Sequence, residues 1–140
     1  MVVINPKNVP GVIVPPPFSR ELKVVLDPEV GNYNKATILL SYIEPKSSTG
    51  LHEHSSDEIM YIAKGEGEAV EIKDEVQKIE RVSEGYVVYA PSNVKHEMRN
   101  LSDDKMVLFC VYIPGLKASG YLGMAVEMAK KYFKEREKTS

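Results

Sequence analysis

His52, His54, Glu58 and His96 are the residues of this chain whose types and spacing bear on chemistry. The chain has three histidines in all. Two of them stand two residues apart in Leu51-His52-Glu53-His54, and a carboxylate, Glu58, follows four residues after the second. The third lies in Pro91-Ser92-Asn93-Val94-Lys95-His96-Glu97-Met98-Arg99-Asn100. On a strand, His52 and His54 share a face, because side chains alternate with period two. Three imidazoles and one carboxylate form a ligand set for one divalent transition metal, with Fe, Mn, Ni, Zn and Cu all compatible. Structural zinc sites are usually closed and thiolate-rich, and the single cysteine, Cys110, does not fit that chemistry. On an octahedral ion, four protein ligands leave two positions open for water, dioxygen or a chelating substrate.

Short strands must bring these residues together. Runs rich in Val, Ile, Leu and Tyr recur between Gly, Pro and Asp turn signals. They predict strands at 22–26, 36–43, 58–63, 68–72, 76–82, 86–90, 95–101 and 106–113. Gly31-Asn32 marks a loop. Gly65-Glu66-Gly67 reads as a turn from which 68–72 runs back along 58–63. Strands at this spacing point to a sandwich or barrel. Residues 21–115 form this barrel in a single-domain reading. Residues 1–20 are proline-rich and read as an extended arm around Val12-Ile13-Val14. In 116–140, Leu122, Ala125, Val126, Ala129, Tyr132 and Phe133 recur at helical spacing. Lys130, Lys131, Lys134, Arg136 and Lys138 gather toward that helix's C-terminal end, where they complement its dipole.

The composition excludes several classes. A net charge of −2 and a pI near 5.9 give no basic patch for nucleic acid. No apolar run reaches the length of a membrane span. The first residues, Met1 to Pro6, lack the features of a signal peptide. Lone Cys110, in the apolar run 106–113, excludes an internal disulfide and reads as a buried structural thiol. The expectation is a cytoplasmic protein. The apolar arm and the amphipathic helix both need cover, so a homodimer is expected.

The two histidine segments resemble the two sequence motifs of the cupin superfamily. In the first motif a glycine precedes His-x-His by five residues, then come Glu and, six residues on, Gly. Here His52, His54, Glu58 and Gly65 keep that spacing, while Lys46 replaces the leading glycine. The second motif matches at Gly85, Pro91, His96 and Asn100, with Asn93 where the family has glycine. Asn tolerates the left-handed backbone that such a position calls for. The resemblance implies an all-β double-stranded β-helix, a jelly-roll barrel, with a C-terminal α-helix added here. It also implies one metal at His52, His54, Glu58 and His96.

Fold does not settle function, and cupins host many. The intact ligand set implies a metal-dependent enzyme acting on a small organic molecule, dioxygenase-like as first choice. Sugar or sugar-phosphate isomerisation or epimerisation is the alternative enzyme, and a phosphosugar site would want several inward Arg or Lys residues. A non-catalytic small-molecule-binding or sensing module, or a metal that only fastens the barrel, are the remaining readings. By parity with the ligands, Met60, Met98 and Asn100 are expected beside the metal. Tyr42, Tyr89 and Tyr112 are candidate donors, with Tyr42 and Tyr112 assigned to the substrate pocket.

Overall fold

A computed structural model describes residues 1–31, 33–117 and 119–137. Asn32 and Lys138, named above in the loop and the helix end, lie outside the described residues. Among the described residues, nine strands and one long helix follow a short 3-10 turn at Pro6–Asn8. The strands are β1 Val12–Val14, β2 Arg20–Leu26, β3 Thr37–Ile43, β4 Asp57–Lys64 and β5 Glu66–Lys73. They continue with β6 Val76–Ser83, β7 Val87–Ala90, β8 Lys95–Asn100 and β9 Met106–Ile113, and α1 covers Gly120–Glu137.

Two antiparallel sheets face each other. One has six strands in the order β1-β2-β3-β9-β4-β7, the other three in the order β6-β5-β8. The central strands place one face inward. In β3 the burial alternates strictly, with Thr37, Leu39, Ser41 and Ile43 buried, and β9 does the same with Met106, Leu108, Cys110 and Tyr112. These residues fill the space between the sheets together with Val24, Ile62 and Met98.

The expected hairpin at Gly65 is not one. β4 pairs with β7 and β9, whereas β5 pairs with β6 and β8. The chain turns a corner there and changes sheets. Gly67 makes this possible, because a Cβ at that position would collide with the Arg99 carbonyl oxygen of β8. Local turn chemistry is the same for a hairpin and a corner, so only pairing distinguishes them.

The arm and the helix cover each other. β1 pairs with β2 at the sheet edge, and α1 packs on both. Val12 and Val14 are buried there with Ala125, Val126 and Ala129. The ground on which a second subunit was expected is therefore met within one chain. No helix among the described residues is long and apolar enough to cross a membrane.

Candidate metal centre

Glu58 is the second residue of β4 and points inward, directly opposite Tyr112 of β9. His96 is the second residue of β8. His52 and His54 are not in a named strand. They lie on a segment that runs antiparallel along β8 and is tied to it by bridges at Ser48–Arg99 and His52–His96. His52 and His96 exchange both backbone hydrogen bonds, at 3.0 and 2.9 Å. The segment acts as a fourth strand of the smaller sheet at that point. It brings the two histidine motifs side by side across 44 residues of sequence.

Each imidazole is held by its own local carbonyl. His52 Nδ1 lies 2.7 Å from Gly50 O, His54 Nδ1 2.8 Å from Ser56 O, and His96 Nδ1 2.9 Å from Val94 O. A carbonyl only accepts, so each Nδ1 carries a proton and each Nε2 is the ring nitrogen left to face the centre. In every case the carbonyl is two residues away in sequence. Three orientations are thus set by turns rather than by distant packing.

These nitrogens converge. His54 Nε2 and His96 Nε2 lie 3.1 and 3.0 Å from the same oxygen, Glu58 Oε1. One potential ligand atom from each of His52, His54, Glu58 and His96 falls within 4.8 Å of the others. Two imidazole lone pairs and a carboxylate oxygen repel each other at such distances, so either protons on the imidazoles or a metal ion must lie among them. A first-row metal with bonds of about 2.0–2.2 Å fits that donor set with small side-chain movements. Among the described residues, these four form the group able to hold a metal ion.

The electrostatics suit ligation. Burial pushes the Glu58 carboxyl up, but hydrogen bonds from His54 and His96 outweigh it and hold the pKa down at about 2. Burial lowers His52, keeping it neutral, with the Gly50 carbonyl partly opposing. For His96 burial acts downward, but the Glu58 carboxylate and the Val94 carbonyl raise the pKa overall. Burial, aided by the Glu58 charge, drives the Tyr112 phenol far above its ordinary value. It stays protonated and is a donor. Its ring meets the His54 ring edge-on at 5.1 Å.

The centre opens on a cavity of about 240 Å³ between the sheets. Met60, Met98 and Tyr112 line it. Asn100 and Tyr42 do not, which corrects two expectations. Asn100 shares the parity of His96 but lies four residues further along β8, about 13 Å away at strand rise. Its amide there donates to the carbonyls of Ile43, Glu44 and Asp104. Tyr42 faces outward on β3, where Lys23 Nζ sits 5.5 Å from its ring centre. Tyr89 is exposed on the outer face of β7. Cys110 is buried, as expected, and also lines the cavity; burial raises its thiol well above the ordinary value, which keeps it protonated.

Residues that sequence reasoning passed over also line the cavity, chiefly Arg20, Ser41, Thr49 and Lys117. A signal for Arg20 existed. Arg20 and Leu22 share the parity of buried Val24 on β2, so the apolar pair marks the arginine as inward. The positive-φ backbone explains the two motif departures. Lys46 has φ 60° and Asn93 φ 61°, the region that glycine enters most easily.

Comparisons with known proteins agree with this geometry. The family model for the cupin domain matches residues 39–112. A search of curated proteins finds no match. Among solved structures, a predicted oxalate decarboxylase from Thermotoga maritima is similar, with a TM-score of 0.70 and 22% identity over 81% of this chain and 99% of that one. A variant of the Bacillus subtilis oxalate decarboxylase gives a TM-score of 0.71 and 15% identity over 82% of this chain, which spans 30% of that longer one. A conserved protein with a double-stranded β-helix domain from Klebsiella pneumoniae gives 0.64 and 15%, over 83% of this chain and 92% of that one. At these identities the likeness establishes the fold.

Proposed function

Given that this chain belongs to the cupin family, we propose that it is a mononuclear metal-dependent enzyme acting on a small organic molecule, with an oxygen-dependent oxidation as the leading reaction. The observation that carries this reading is the convergence of His52, His54, Glu58 and His96 at the mouth of a cavity rather than in a closed, fully packed site. A bound divalent metal supplies Lewis-acid or dioxygen-activating chemistry at that point. The Nδ1 bonds of His52, His54 and His96 turn each Nε2 toward that point. Glu58 is a ligand rather than a general base, since its pKa near 2 leaves it a very weak one. Tyr112 is the group placed to hold or give a proton beside the ligands. Met60 and Met98 form apolar walls that limit water.

The test is direct. Protein purified without a metal-affinity tag is analysed for bound metal, and the loaded form is screened for oxygen uptake with catechols, thiols and diketones. Near-stoichiometric metal and oxygen consumption with one class support the proposal. Negligible metal overturns it, and tight small-molecule binding without turnover replaces it with a sensing role.

We propose further that the protein is a homodimer, through a surface other than the arm and helix. The outer faces of β3, β9, β4 and β7 do not show the polar-out pattern of a solvated sheet. Ile59 lies between Tyr89 and Val111, and Tyr61 between Val87 and Phe109. Tyr61, Val87, Tyr89 and Phe109 are 45%, 66%, 59% and 39% exposed. With Ile59 and Ile113 they present roughly 600 Å² of apolar surface, taking side chains of this size at about 150–250 Å² each. That approaches the ~800 Å² per partner of a stable interface. The edge strand of the smaller sheet mixes exposed Lys78, Glu80 and Arg81 with Val76 and Ile79.

A further inference from the structure

Ser41 is 4% exposed, and its hydroxyl is the buried side-chain polar atom without a hydrogen-bond partner among the described residues. An unpaired buried hydroxyl is costly, and this one lies on the cavity wall. Arg20 lies close by. Ser41 pairs with Leu22 of β2, and Arg20 is two residues along the same inward face. The guanidinium gives one hydrogen bond to the Phe18 carbonyl, at 2.9 Å. It has five N–H donors, and no carboxylate among the described residues pairs with it. Tyr112 and Cys110 are near enough to act on its charge, which places the guanidinium toward the cavity.

The charge balance points the same way. Glu58 is the one acidic side chain on the described cavity wall, against Arg20 and Lys117. A divalent ion bound by one carboxylate and three neutral imidazoles leaves a further positive charge. The cavity therefore favours an anion.

We propose that the substrate is an elongated small organic acid: one end reaches the metal centre, and a carboxylate at the other end is held by Arg20 and Ser41. This rests on the metal-dependent reading above and names the substrate class for the same site. The register sets the separation. Glu58 faces Tyr112 on β9, whereas Ser41 faces Leu108, four residues and about 13 Å along the strand between backbones; the Arg20 guanidinium, near enough to feel Tyr112 and Cys110, reaches back from there and shortens the span. Leu39, Met60, Met98 and Leu108 line the stretch between. The ligand that fits is polar at both ends and apolar in the middle. One guanidinium and one hydroxyl match the two oxygens of a carboxylate. A phosphate would call for more donors. At about 240 Å³ the cavity lies below the ~300–1,000 Å³ of drug-sized ligand sites, which restricts the ligand to a small molecule.

The test is calorimetric titration of the metal-loaded protein with α,ω-dicarboxylates of increasing length, their diamides and inorganic phosphate. Affinity is expected to peak at an intermediate length, with the matching diamide at least tenfold weaker. Arg20→Met should weaken the best dicarboxylate by at least tenfold while bound metal stays constant. Ser41→Ala should weaken it several-fold yet raise the melting temperature of the ligand-free protein, since an unpaired hydroxyl is removed. Oxalate binding best with no dependence on length, phosphate binding tighter than every dicarboxylate, or an Arg20→Met variant of full affinity would each overturn the proposal. If Arg20→Met does not fold, Ser41→Ala and the diamide comparison decide. A protein that holds no metal sinks the proposed function instead, and the diamide comparison on that protein still tests Arg20 and Ser41.

Discussion

His52 and His96 face each other across an antiparallel bridge, each donating its backbone N–H to the other's carbonyl, with ring centres 4.4 Å apart. Two histidines from separate motifs are thus oriented by main-chain bonds, before any metal is considered. Such preorganisation lowers the cost of assembling a ligand set.

Removing one ligand tests the centre. His96→Ala should lower metal affinity at least 100-fold, more than loss of an outer partner of a ligand typically does. The readout is bound metal by elemental analysis, with circular dichroism confirming an intact fold. A variant that keeps its metal would remove His96 from the site.

Tyr112 separates holding a metal from using it. Tyr112→Phe should retain the metal and the edge-on packing against His54, while turnover falls by about 100-fold through loss of a proton donor. Unchanged turnover with an intact metal content would make Tyr112 a wall residue.

Asn100 provides the opposite case. Its amide satisfies the carbonyls of Ile43, Glu44 and Asp104 in a buried setting. Asn100→Ala should destabilise the fold by about 2–4 kcal/mol, as expected when buried carbonyls lose their donors. Metal affinity should be unaffected. Urea unfolding and metal titration on the same sample measure both.

The pH response follows from the ligands. Glu58 is depressed to about 2, so the stability it contributes is present above its unfolded value near 4.5 and is lost as pH falls through the folded one. His52 is lowered, so the neutral form is kept in the fold and acid works against it below its ordinary value of 6.5. His96 is raised; the stability from its proton is present below 6.5 and lost as pH rises through the folded value. Metal competes with that proton. Metal affinity should therefore fall by about tenfold or more per pH unit below roughly pH 6. A flat profile down to pH 4.5 would rule out imidazole ligation.

The outer sheet face predicts assembly. Tyr61→Lys or Phe109→Glu should convert a dimer into a monomer, measured by light scattering, with metal content unchanged. A monomeric parent protein at working concentration would overturn the dimer.

What the sequence by itself determined is local. His-x-His, Glu58 and His96 were legible because ligand type and spacing survive without knowledge of pairing. The strands were legible because period-two burial and turn residues act over a few positions; the strand expected at 106–113 is β9, end to end. Asn93 follows the same rule, since asparagine tolerates the left-handed backbone it adopts; the same backbone at Lys46 had no signal in its residue type. Tertiary structure alone decided the rest. Parity names a face but not a depth, so it placed Asn100 with His96 although about 13 Å of strand separates them. The turn at Gly65 looks like a hairpin until the partners of β4 and β5 are known. Cover for the arm came from a helix more than a hundred residues away, which no local pattern encodes. Arg20 and Ser41 meet only because β2 and β3 pair in one register, and that pairing is a long-range choice made by the packed core.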